Sequence, residues 1–204
     1  MKKVILLIVC CLFVSTSISY AQTSKQTKKV IKTNAKQFAK EGWSLDGTGT
    51  FASVLTAHYA QMESGDAYEL VGNATDKKSI NLAKSVARNN AINEYAEYAR
   101  SMVRARINTD LKDLNEEQRE NFVAGYERVV LKELNGAIKP SFNLYRRNSN
   151  GMYEMRAFFL INEKAAAEMN KKALAEAAEE MGVARKYADE VSAFVNDGFQ
   201  NLKK

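Results

Sequence analysis

The sequence predicts an α+β domain: a small antiparallel or mixed sheet of about three strands, packed by one long alanine-rich helix, with further helices at the C-terminus. Three observations predict it. Residues 68–75 alternate with a period of two, and residues from about 76 to 107 repeat small apolar side chains at spacings of three and four. Residues 137–161 then return to a period of two around Asn150-Gly151. The first two stretches form the strand and helix on which the rest is expected to pack.

The chain opens Met1-Lys-Lys, followed by an apolar run from Val4 to Val14 and small residues up to Ala21. A basic start, a short apolar core and Ser19 and Ala21 at the cleavage positions form a secretory signal peptide, residues 1–21, cut after Ala21. The run is too short for a comfortable membrane span, and no later stretch serves as one. A lipoprotein reading competes through Cys10 and Cys11. Lipidation wants a small residue before its cysteine, and here Val9 and Cys10 stand there. Both cysteines leave with the signal, which excludes disulfides and thiol chemistry from the 183 residues that follow. Only Lys2 and Lys3 are lost as charges, so the formal charge falls from +6 to +4. Export weighs against nucleic acid as a partner more than this mild basicity weighs for it.

Residues 22–37 are a polar, lysine-rich leader whose first half reads as a solvated tether. The competing reading is a basic arm that touches acidic lipid or sugar phosphate. In Glu41-Gly-Trp43, the single tryptophan is a core anchor or, in the alternative, a ligand-stacking ring. Gly47-Thr-Gly49 lacks the third glycine and the lysine of a phosphate loop and reads as a turn. Thr50 caps a helix to about Met62, with Leu55, Tyr59 and Met62 on one side. His58, the only histidine, lies in it; without a matched partner motif it reads as a surface or partly packed structural residue.

In the central strand, Tyr68, Leu70 and Ala74 share one face, and Ala67, Glu69, Val71 and Asn73 the other, which suits a sheet with one buried face. Gly72 marks a bulge or a close backbone approach. Thr75 and Asp76 can cap the long helix. Its buried stripe is Ala83, Ala87, Ala91, Tyr95, Ala99 and Met102, widened by Leu82, Val86, Tyr98 and Val103. Alanines there let the helix lie close on the sheet. Asn115 and Gln118 form a capping box for the next helix, with Phe122, Val123, Tyr126, Val129, Val130 and Leu134 buried and Asn135-Gly136 as its stop.

A hairpin follows, with Phe142 and Leu144 in its first strand and Tyr153, Met155, Ala157, Phe159 and Ile161 on one face of its second. Pro140 falls where a missing amide is tolerable. Asn162 caps a helix that stops near Gly182. A last amphipathic segment, 183–202, carries Ala184, Tyr187, Val191, Phe194 and Val195. The last two helices pack on the domain or dock a partner; the sequence leaves both open.

Tyr68-Glu-Leu-Val-Gly72, the helix residues Leu82-Ala83, Ala87, Asn90-Ala91 and Ala96, and Tyr153-Glu-Met-Arg-Ala-Phe-Phe-Leu160 together resemble one group. It is the small bacterial envelope lipoprotein family first described as a twenty-kilodalton membrane-associated lipoprotein, related to the amino-terminal domain of flagellar assembly protein T. Lys40-Glu-Gly-Trp43 resembles a branch of exported proteins from Bacteroides-like bacteria. The resemblance spans roughly residues 38–165, which it implies are one α+β domain, with 166–204 a C-terminal helical extension. Its motifs are packing motifs, so it implies a fold more than a function. The missing lipidation cysteine keeps membrane anchoring from being carried over.

These readings lead to an expectation of an exported, non-enzymatic periplasmic or outer-membrane-associated protein that binds another envelope protein or a cell-surface polymer. No catalytic, cofactor-binding or metal-ligating residue is assigned. One alternative is a small-ligand carrier using Tyr95, Tyr98, Tyr145 and Tyr153. The other is a carboxylate-based hydrolase using Glu116-Glu117, Glu179-Glu180 or Asp189-Glu190, although acids at helix starts are favoured by the helix dipole without any catalytic role. Zinc and calcium lack their ligand patterns.

Overall fold

The computed structural model describes residues 24–110, 114–182 and 185–201, so the signal peptide and lipidation readings lie outside the described residues. Ten elements follow in order: α1 (Lys25–Lys40), β1 (Ser44–Leu45), α2 (Phe51–Gly65), β2 (Ala67–Lys77), α3 (Ile80–Asp110), α4 (Glu116–Ala137), β3 (Lys139–Arg147), β4 (Tyr153–Asn162), α5 (Glu163–Glu180) and α6 (Arg185–Asn201). The fold is α+β, as the periodicities predict. The sheet has four strands in the order β1-β3-β4-β2, all antiparallel, one more than expected. The extra strand is the two-residue β1, too short to leave a periodic signal.

The sheet is covered on both faces, not one. Tyr68, Leu70 and Ala74 of β2, with Met155, Ala157, Phe159 and Ile161 of β4, turn toward α3. Phe142 and Leu144 of β3 and Phe158 of β4 form a second core with Ile31, Phe38, Trp43 and Leu55. The polar leader, with Phe38 just after it, supplies part of that second layer. Ser24 accepts from the amide of Thr27 and starts a four-turn helix. Ile31 and Phe38 are buried, and Asn34 donates to Tyr59 of α2 at 3.2 Å. The lysines occupy the outer face, so composition concealed an amphipathic helix.

Gly72 is the point of closest approach between sheet and helix. A Cβ there would stand 1.8 Å from the carbonyl oxygen of Ala87. Pairing runs through Gly72 without a shift, and the irregularity lies between Ala74 and Lys77. The strand therefore continues past Thr75 and Asp76, and Ser79 caps α3 instead, its hydroxyl accepting from Leu82 N at 3.2 Å. Leu82 falls outside the buried stripe and is 48% exposed.

With 31 residues, α3 extends about 46 Å, more than four strands can cover. Its first turns, through Ala83, Ala87 and Ala91, sit on the sheet. The later part carries a further buried row (Ala96, Ala99, Val103, Ile107) into a helical layer with α4, α5 and α6. Ion pairs of Arg104 with Glu120 and Arg100 with Glu127 set α4 antiparallel to it. The capping box of Asn115 and Gln118 starts α4, which runs through Asn135-Gly136 to Ala137; the expected stop falls two residues early. Asn162 caps α5.

The last two helices pack on the domain. Val191, Val195 and Phe199 of α6 are buried, whereas Phe194, expected inside, is 39% exposed beneath Arg106. Ala184 and the side chain of Tyr187 lie outside the described residues. Gly198 faces Met102 so closely that a Cβ would overlap its terminal methyl. No helix among the described residues is long and apolar enough to cross a membrane.

Candidate functional site

Both faces of the sheet are packed, and β1 pairs with β3 only at Leu144 and Tyr145; the longer edge strand is β2. A groove of about 420 Å³ follows that edge. Tyr68 to Val71 form its floor; Ala91, Glu94, Tyr95 and Tyr98 of α3 form one wall; Met62 of α2 and Phe199 of α6 close it. Its aromatic side is fixed by packing. Tyr95 stacks on Phe199 with centroids 4.5 Å apart, and Tyr98 meets the same ring edge-on at 5.0 Å. Burial pushes the Tyr95 hydroxyl well above its usual pKa and raises that of Tyr68, so both stay neutral donors and acceptors.

Acidity is the groove's second property. Glu69 and Glu94 both line it, and among the described residues no lysine or arginine does. Glu69 is also tied to the interior. His58 is 1% exposed, and its Nε2–H donates to Glu69 Oε2 at 2.6 Å while Ser141 Oγ lies 2.9 Å from Nδ1. A carboxylate can only accept, so Nε2 carries the proton. The histidine is thus fully buried between Phe142, Phe158 and Tyr59, a correction to its reading as a surface or partly packed residue. Its partners come from β2 and β3, eleven and eighty-three positions along the chain. A line of hydroxyl, imidazole and carboxylate can relay a proton, but Ser141 does not line the groove. The geometry locks α2 to the sheet and holds one carboxylate oxygen of Glu69 inward.

The other sequence candidates scatter. Tyr95 and Tyr98 border the groove, whereas Tyr145 and Tyr153 lie together in the β3–β4 hairpin, rings 6.5 Å apart. Glu116 and Glu117 stand in the first turn of α4. Glu180 ends α5 in a surface ion pair with Arg128, and the side chains of Asp189 and Glu190 lie outside the described residues. No group of three or more His, Cys, Asp or Glu side chains among the described residues is placed to hold a metal ion.

Trp43 is a core anchor with one addition. The guanidinium of Arg146 lies 4.5 Å from its ring centroid and that of Arg156 5.3 Å. Its Nε1–H donates to Glu41 at 3.0 Å. The amide of Gln37, and then this indole, hold the Glu41 carboxyl below its usual range.

Sequence reasoning missed the groove because three of its contributors, Met62, Glu94 and Phe199, belong to different helices. The acidic pair is invisible until α3 is laid beside β2. Comparison of the chain with family models, curated proteins and solved structures gives no match.

Proposed function

We propose that the protein is an exported, non-enzymatic interaction domain of the cell envelope, and that it holds an envelope partner in the groove along β2. One observation carries the reading: an aromatic and acidic groove lies along the outer edge of β2, the long edge strand of the sheet. The signal-peptide pattern of residues 1–21 and the resemblance to small envelope lipoproteins support the compartment. Exposed apolar side chains elsewhere (Val30, Leu82, Phe194) stand singly on three different helices, which is ordinary for a surface.

Cross-linking intact cells, purifying the protein under denaturing conditions and identifying attached chains by mass spectrometry tests the proposal. A discrete, repeated envelope partner is the expected result. Links spread over abundant neighbours would contradict it.

The volume of the groove favours a second reading, a carrier of a small aromatic or amine-bearing molecule resting on Tyr95 and Tyr98. Native mass spectrometry would then find a bound mass that Tyr98→Ala releases.

A further inference from the structure

The backbone of β2 specifies what the groove accepts. The amide of Glu163 donates to the carbonyl of Asp66 at 2.7 Å, next to the paired residues Ala67 and Asn162. In an antiparallel ladder, alternate residues bond to the neighbour. Even-numbered residues of β2 therefore bond to β4, and the amides and carbonyls of Glu69 and Val71 point outward. The next outward carbonyl, that of Asn73, is occupied by Asn90 Nδ2 at 2.7 Å. That side chain ends the open stretch.

Among the described residues no hydrogen bond caps the outward groups of Glu69 and Val71. A row of such groups is a template for another strand. Natural edges are commonly blunted by lysine, proline or a covering element; this one carries instead a floor of Tyr68 and Leu70 and the aromatic wall of α3 and α6.

Charge selects the occupant. Glu94 is exposed and has no ion pair or hydrogen bond among the described residues. Glu69 spends Oε2 on His58 with a third of its side chain in solvent. Two carboxylates, with no cation among the described lining residues, repel acidic segments and attract basic ones. A second copy of this chain, paired through the same edge, would bring both carboxylates of each copy together.

We propose that the groove receives an extended peptide segment of a partner protein, carrying a lysine or arginine between apolar residues, as a short fifth strand on β2. Main-chain bonds to Glu69 and Val71 supply affinity. A basic side chain on the α3 side of the added strand reaches Glu94, its apolar neighbours on the α2 side meet Met62, and an apolar residue two positions along meets Tyr98, which together supply selectivity. This inference rests on reading the groove as the interaction site.

The test uses the purified protein and three fluorescein-labelled decapeptides: alternating valine, lysine and threonine; the same with glutamate for lysine; and the lysine peptide N-methylated at alternate residues. Anisotropy is expected to show the lysine peptide binding about tenfold or more tighter than its glutamate twin. Glu94→Lys should remove most of that preference. The N-methylated peptide should not bind, and amide shifts should centre on Glu69 and Val71. Val71→Pro, which removes one outward amide and leaves the β4 side intact, should abolish binding.

The proposal is overturned by no binding of the lysine peptide up to about 1 mM. Equal binding of the glutamate or N-methylated peptide overturns it too, as does a dimer sealed through β2. A discrete cellular partner whose links avoid the groove overturns this inference and leaves the interaction reading standing. Absence of any discrete partner removes that reading itself.

Discussion

His58 and Glu69 join the protein's interior to its open edge: the imidazole is almost fully buried, and the carboxylate 2.6 Å from its Nε2 lines the groove. The pair places a buried hydrogen-bonding group directly behind a surface one. His58→Ala should cost about 2–4 kcal/mol, because it leaves a cavity and strips Ser141 of its partner. Glu69→Gln keeps an acceptor oxygen and should cost about 1 kcal/mol. Urea denaturation of both variants measures the difference.

Gly72→Ala should destabilise by about 3 kcal/mol, since its Cβ would meet main chain of α3 and not a side chain that can swing away. The same change at Gly136, where nothing lies within 4 Å, should leave stability unchanged or slightly raised. Paired thermal melts check this.

The helical layer is pinned by a buried amide. Tyr126 donates to Asn170 Oδ1 at 3.0 Å, and Asn170 Nδ2 donates to Tyr95 at 3.3 Å. Tyr126→Phe leaves that oxygen unsatisfied and should cost about 1–3 kcal/mol. Burial raises the pKa of both tyrosines, so their contribution is complete below the unfolded value near 10 and is lost as pH rises above it. Alkaline titration should show tyrosinate absorbance and loss of helix appearing together. Gradual ionisation of these two rings in a folded protein would contradict the burial.

Glu133 and Lys172 link α4 to α5. The hydrogen bond from Lys172, then its charge, lowers the Glu133 pKa, and the same bond raises that of Lys172. A lowered carboxylate stabilises above its unfolded pKa and loses that contribution as pH falls through the folded value. Lys172→Met should therefore lower the urea midpoint slightly at neutral pH, and the gap should close in acid and shrink in high salt.

Local periodicity carried much of the architecture. The alternation of β2 and β4, the alanine stripe of α3, and the caps at Thr50, Asn115 and Asn162 all lie within a few residues of the features they specify. Gly72 could be read as a close approach because a strand interior has few other uses for glycine. What was not legible is long-range. Residues 22–37 read as a polar leader because Ile31 is diluted among lysines, and its packing surface comes from elements far along the chain. His58 gained its meaning from Glu69 and Ser141, eleven and eighty-three positions away. Phe199, which was not singled out, anchors α6, while Phe194 lies outside the core. A helix's apolar stripe tells which residues share a side and not how far the buried side extends.

A photoreactive amino acid placed at Met62, on the wall of the groove, and separately at Leu82, an exposed position on the first turn of α3, distinguishes the edge of β2 from the rest of the surface. After irradiation of intact cells, one discrete adduct is expected from position 62 and none of comparable yield from position 82. A discrete adduct from position 82 alone, or the same adducts from both, would contradict the edge of β2 as the binding site.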